Sequence, residues 1–203
     1  MKKNNYKKWE LLLISSIIMV AMSVTIFATQ VILYYSKEAQ ANTNWCWVAS
    51  ARNAVKYSHN PIKTQPEGVI YIKGSCVNEA GSLLETKNVA DYFSQGEIYY
   101  ANTARGTTTG VKSFTFLTDK IDNDRVTVLS AGYYEGGERK GGHSVSMHGY
   151  YSYGSYASMI WYFDPWVDAA NNYTPTEHEC SYNSFLSGTY NGRIYDGTVY
   201  ATN

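Results

Sequence analysis

The chain has little cysteine and no excess of charge of either sign: three cysteines in 203 residues, and 17 basic side chains against 17 acidic ones. A balanced chain offers no net field to gather nucleic acid or an acidic partner, so no nucleic-acid ligand is expected. Low-complexity tracts and internal repeats are also missing. Less a hydrophobic leader, the length suits one compact domain of about 160 residues, long enough to bury a proper core. What the chain does have is tyrosine, 20 of them, and glycine, 16. That balance suggests a strand- and turn-rich body with many half-exposed aromatic positions.

The first 28 residues supply an address. "MKKNNYKKWE" places lysines ahead of "LLLISSIIMVAMSVTIFA", which carries no charge, the layout of a secretory signal. Residues 1–28 are therefore expected to be a leader and 29–203 the working domain of an exported, extracellular protein. The uncharged run extends through Tyr35, so an uncleaved anchor reaching to about residue 35 is the alternative. It would leave the domain on the outer face of the membrane, touching lipid through this segment alone. "EAQA", residues 38–41, offers a second cleavage pattern further on.

Beyond the leader the pattern changes near Lys87. Residues 46–57 contain no Gly or Pro and repeat Val48, Ala51 and Val55 near helical spacing, which predicts a helix starting at about Cys46. "QPEGVIYIK" and "GSLLETKNVADYF" are further helical stretches, the second with Leu83, Leu84, Val89 and Phe93 for one face. After Gln95 alternating and β-branched residues predict strands in "EIYYANT", "VKSFTFL", "RVTVLSAGYY", "HSVSMHGYYSY", "SMIWYFDP" and "GRIYDGTVYAT". Helices first and a mostly antiparallel sheet after is an α+β order.

A cysteine at a helix start has its thiolate favoured by the exposed amides and the macrodipole, and Cys46 is placed for that. A nucleophilic thiol also needs a base and a group to orient the base. Of four histidines, His59 follows the same helix too closely to fold back, and His178 lies in the polar stretch "TPTEHEC", read as a solvated loop. A hairpin turning near Tyr153 and Gly154 would set His143 opposite Asp164, with Cβ atoms about 5 Å apart. His148 falls on the other face, opposite Met159 or its neighbours, where no such partner is expected, and is read as structural. The two glycines of "GGH" would let another backbone approach at the strand entrance. Asp168 and Asn172 are substitutes if Asp164 only begins a turn before Pro165.

"QANTNWCWVAS", "GGHSVSMHGY" and "WYFDP", in that order, resemble the papain-like cysteine peptidases of bacteria. The likeness is to secreted or effector-type groups with a Trp-Cys-Trp signature, related to the peptidases that cleave bacteriocin leaders, and covers about residues 31–190. It implies a papain-like fold with Cys46 as nucleophile, His143 as base and general acid, Asp164 orienting His143, and Gln40 donating to the oxyanion hole. Val48 stands where many relatives carry Ala. The implied chemistry needs no metal or cofactor, and its partner is a peptide or protein substrate met by a monomer. With Cys46 reserved, Cys76 and Cys180 form an even pair in an oxidising compartment, either bridged or left as two thiols. The same dyad would also serve an exported cell-wall amidase or an acyltransferase, and a degenerate domain would serve as an adhesin or toxin module.

Overall fold

The computed structural model describes residues 28–95, 99–103, 111–154, 157–168, 172–189 and 192–201. The leader up to residue 27 lies outside them. Among the described residues no helix is long and apolar enough to cross a membrane.

Strand β1 (Ala28–Ile32) is followed by three helices, α1 (Cys46–Ser58), α2 (Gln65–Lys73) and α3 (Leu83–Ser94). Then come β2 (Tyr99–Thr103), α4 (Phe114–Asp122), β3 (Thr127–Glu135), β4 (Glu138–Tyr153), β5 (Ala157–Asp164), β6 (Thr176–Ser181), α5 (Tyr182–Ser187) and β7 (Ile194–Ala201). The strands form one seven-stranded antiparallel sheet in the order β2-β7-β3-β4-β5-β6. β4 is long enough to take β3 along its first half and β1 along its second, where Ile32 pairs with Gly149 and Ala28 with Tyr153. This is the α+β architecture expected.

Helix α1 is the centre of the core. Val48, Ala51 and Val55 are wholly buried, as their spacing predicts, and small neighbours such as Ala54 let the helix approach the sheet and α3 closely. α2 and α3 begin with complete capping boxes, Thr64 with Glu67 and Ser82 with Glu85, which satisfy amides that a helix start leaves open. α3 buries Val89 and Phe93, which close on Gly68 of α2, but Leu84 is turned outward at 60% exposure, so the face drawn through Leu84 is one residue too wide.

Two segments differ from expectation in kind. "VKSFTFL" is not a strand. Ser113 caps it by accepting the Phe116 amide, and Leu117 and Ile121, four apart, go into the core as one face of α4. "TPTEHEC" is not a solvated loop: it runs into β6, where Tyr162 pairs with His178 and Ile160 with Cys180. His178 stacks on Tyr162 at 5.3 Å. Cys180 is buried, Cys76 is exposed and all three cysteines are free thiols, so the Cys76–Cys180 bridge is not formed.

Candidate active site

Cys46 is the first residue of α1, and its amide lies in the turn that has no acceptor within the helix. The flanking tryptophans hold it there by a division of labour the sequence did not reveal. Both rings are buried, and Trp45 Nε1 donates to the Val77 carbonyl at 2.9 Å while Trp47 Nε1 donates to Glu79 at 3.1 Å. The two indoles thus moor the loop before α3 against the helix start and make it one wall of a cleft. Gly81 is pressed on Trp47 so closely that a Cβ would overlap the ring. Because Trp47 has no room to yield, Gly81→Ala is expected to destabilise the protein by about 1–3 kcal/mol, measurable as a lowered Tm. An unchanged Tm would mean that the wall is not packed in this way.

The other wall is the sheet. β4 carries His143 beneath Cys46, and the imidazole is 6% exposed. Its Nε2 bonds Asp164 Oδ1 at 2.6 Å, and it bonds Cys46 as well. Asp164 Oδ1 also accepts the Trp166 amide at 2.9 Å, and the Trp166 indole stands edge-on to His143 at 5.9 Å. An apolar ring over that hydrogen bond limits its competition with water.

The electrostatics follow from this geometry. Burial opposes a charge on the Cys46 thiol, but the hydrogen bond and charge of His143, with the Ser144 amide, outweigh it and hold the thiol below its ordinary value. Burial likewise opposes protonation of His143, yet the bond to Asp164 and the pairing with Cys46 raise its pKa to about 9. Asp164 is kept below its usual range: the His143 bond and charge and the Trp166 amide overcome its burial. The set favours a thiolate beside an imidazolium, a combination able to attack an acyl carbon and then protonate the leaving group.

Gln40 arrives on a strap, residues 33–41. Asn53, wholly buried in α1, accepts the Glu38 amide and donates to the Glu38 carbonyl, both at 2.9 Å. Glu38 pairs with Arg52 and Lys56, and Gln65 of α2 clasps the Ala39 carbonyl and Ala41 amide. The Gln40 amide donates to Pro165 at 2.9 Å, so the strap passes beside Asp164-Pro165. The Gln40 side chain is buried, with Nε2 donating to the carbonyls of Asn42 and Thr43 at 2.9 Å each. Asn53 and Gln65 gave no signal in the sequence beyond being polar residues in helices.

Asp168 forms a β-bridge with Tyr173, and Asn172 lines a cleft with Asp164, Trp166 and Tyr173, but it is Asp164 that bonds His143, so neither substitute takes its place. His148 is not without a partner: its Nε2 bonds Glu177, which also pairs with Lys37 at 2.7 Å. The expectation of no carboxylate there fails because β6, unforeseen as a strand, carries Glu177 beside β5. Among the described residues no group of side chains is arranged to hold a metal ion.

A family model described as the Peptidase_C39 like family matches residues 32–191. The chain belongs to this family. Membership makes it a papain-like cysteine peptidase family chain, and the fold agrees, with helices followed by an antiparallel sheet. No curated protein matches the chain. The matched span begins at the end of β1, so the strap with Gln40 lies within the peptidase-like domain and Ala28–Val31 just ahead of it.

Proposed function

We propose that the protein is an exported peptidase that hydrolyses peptide bonds through Cys46, His143 and Asp164. The observation that carries this reading is a single buried imidazole bonded to a thiol at a helix start on one side and to a carboxylate on the other. The Cys46 thiolate attacks the peptide carbonyl, His143 protonates the leaving amine, and the imidazole then activates water to release the acyl group. Asp164 fixes the ring orientation. The Cys46 amide and the Gln40 side chain receive the oxyanion, for which Gln40 Nε2 turns one hydrogen from the loop carbonyls to the substrate. Incubation with casein fragments and, separately, with purified cell wall tests the reading. Peptide hydrolysis supports it; release of wall peptides alone would make the protein an amidase.

The pH dependence follows from the signs of the shifts. Loss of the His143 proton near pH 9 removes the general acid, and protonation of a thiolate stabilised below the ordinary thiol range, about 8.5, removes the nucleophile. The expected kcat/KM profile is a bell with its alkaline limb near pH 9 and its acid limb below the ordinary thiol range. Activity that rises through pH 8.5 as a free thiol titrates would contradict the ion pair.

The leader ends upstream of Gln40 in this account, near Thr29. Cutting after Ala41 would strip β1, the Glu38 network and Gln40 together, and Gln40→Ala alone is expected to lower kcat by about 100- to 1,000-fold. N-terminal sequencing of the exported protein checks this. An active form starting at Asn42 would remove Gln40 from the mechanism.

A further inference from the structure

The cleft of about 660 Å³ beside Cys46 is lined by one guanidinium that the hydrolytic chemistry does not require. Arg139 stands four residues ahead of His143 on β4 and fills the space over Gly142, where a Cβ would overlap it. Behind it Asp196 is buried and accepts Arg139 Nε at 2.6 Å and the Tyr134 hydroxyl at 3.0 Å. Ser130 Oγ accepts from Nη2 at 3.3 Å. Gly132 belongs to the same device, since a Cβ there would overlap Asp196. The glycine ahead of His143 thus makes room for a side chain of this chain, not for another backbone.

Held along its inner edge, the guanidinium keeps its outer edge open. The Arg139 side chain is 44% exposed even though Asp196, Ser130 and the Tyr134 hydroxyl engage it on the inner side. A planar fork anchored by a buried carboxylate is suited to a second carboxylate, because little side-chain freedom remains to be lost on binding. The facing wall has the same sign. It is the start of α3, where the Leu83 and Leu84 amides occupy the open first turn and the helix presents its positive end. Of the acidic groups at the walls, Glu85 is engaged by its cap and Lys73, and Asp196 by Arg139 and Tyr134.

We propose that this cleft selects substrates carrying an aspartate or glutamate side chain close to the scissile bond, and that Arg139 reads it. The inference rests on the peptidase reading for its substrate, and its test separates the two. Internally quenched peptides are made in pairs, Glu or Gln, with the residue walked through three positions on each side of the cleaved bond. At one position the wild type is expected to favour Glu by about tenfold or more in kcat/KM, mainly through KM, as a charge-assisted hydrogen bond implies. In Arg139→Gln the Glu/Gln ratio falls to about one. Arg139→Lys keeps the charge and loses the fork, so it is expected to lose most of the preference and stands in should Arg139→Gln not fold. Equal rates at every position, or a preference that survives both variants, would overturn the proposal. If the wild type cleaves none of the peptides, fluorescein-labelled copies are bound to Cys46→Ala and read by anisotropy. Tighter binding of a Glu peptide that vanishes in Cys46→Ala/Arg139→Gln upholds the acidic cleft and sinks only the peptidase reading. Equal binding, or none, overturns the cleft as well.

Discussion

Cys46→Ala is expected to fold normally and to lose turnover by roughly 10⁶-fold, the scale seen when a nucleophile is removed from a set of residues that act as one. The same ion pair decides which thiol reacts first. At pH 6 iodoacetamide should label Cys46 ahead of the others, because its thiolate is stabilised by His143 and the Ser144 amide. Burial pushes the Cys180 thiol up to about 11, and Cys76, though exposed, sits in the loop between α2 and α3, away from any helix start. Peptide mapping by mass spectrometry reads the result. Faster labelling of Cys76 or Cys180 in the folded protein would show that the helix start does not activate Cys46.

The second large effect separates two buried histidines that each hold a carboxylate. His143→Ala should abolish turnover, with Tm changed little by comparison. His148→Ala should keep most of the activity and lower stability by about 1–3 kcal/mol, since it leaves Glu177 with Lys37 alone and opens a cavity beside Tyr35. Asp164→Asn keeps an acceptor for Nε2 but removes the charge that raises the His143 pKa, so a smaller loss is expected than for Asp164→Ala. Steady-state kinetics beside thermal melts check all four variants. Equal losses of activity from His143→Ala and His148→Ala would mean that the acid–base role is assigned to the wrong face of β4.

The His143–Asp164 pair was legible in the sequence even though its register was not. The turn lies later than the sequence suggests: Tyr153 pairs with Ala157, and the ladder runs to Ser146 opposite Phe163. Continued to His143, that register points to position 166, two residues past Asp164. An error of two preserves the face, because side chains alternate with period two, and diagonal neighbours remain within reach of a long side chain. The bulge at His148, between pairs Met147–Tyr162 and Gly149–Trp161, adjusts the rest of the hairpin without disturbing this end. α1 was legible for a simpler reason, an unbroken run with apolar residues at helical spacing.

What escaped was set by tertiary context. "VKSFTFL" alternates like a strand, and only the Ser113 cap and the Leu117–Ile121 spacing reveal the helix. β6 is polar along most of its length and becomes a strand because β5 offers it a free edge, which no local pattern announces. The strap was visible as the residues before Cys46, while its fastening by Asn53 and Gln65 depends on helices being brought together by the fold. Arg139's place in the cleft depends on Asp196, far along the chain on β7, which no local pattern announces.

The central claim is that a peptide is transiently bound through Cys46. The direct measurement is an acid quench of the protein during turnover of a mixed peptide library, followed by digestion and mass spectrometry of the thiol-bearing fragments. The account predicts a peptidyl thioester on the fragment containing Cys46, absent from Cys46→Ala. An acyl group on Cys76 or Cys180, or peptide cleavage that persists in Cys46→Ala, would contradict it.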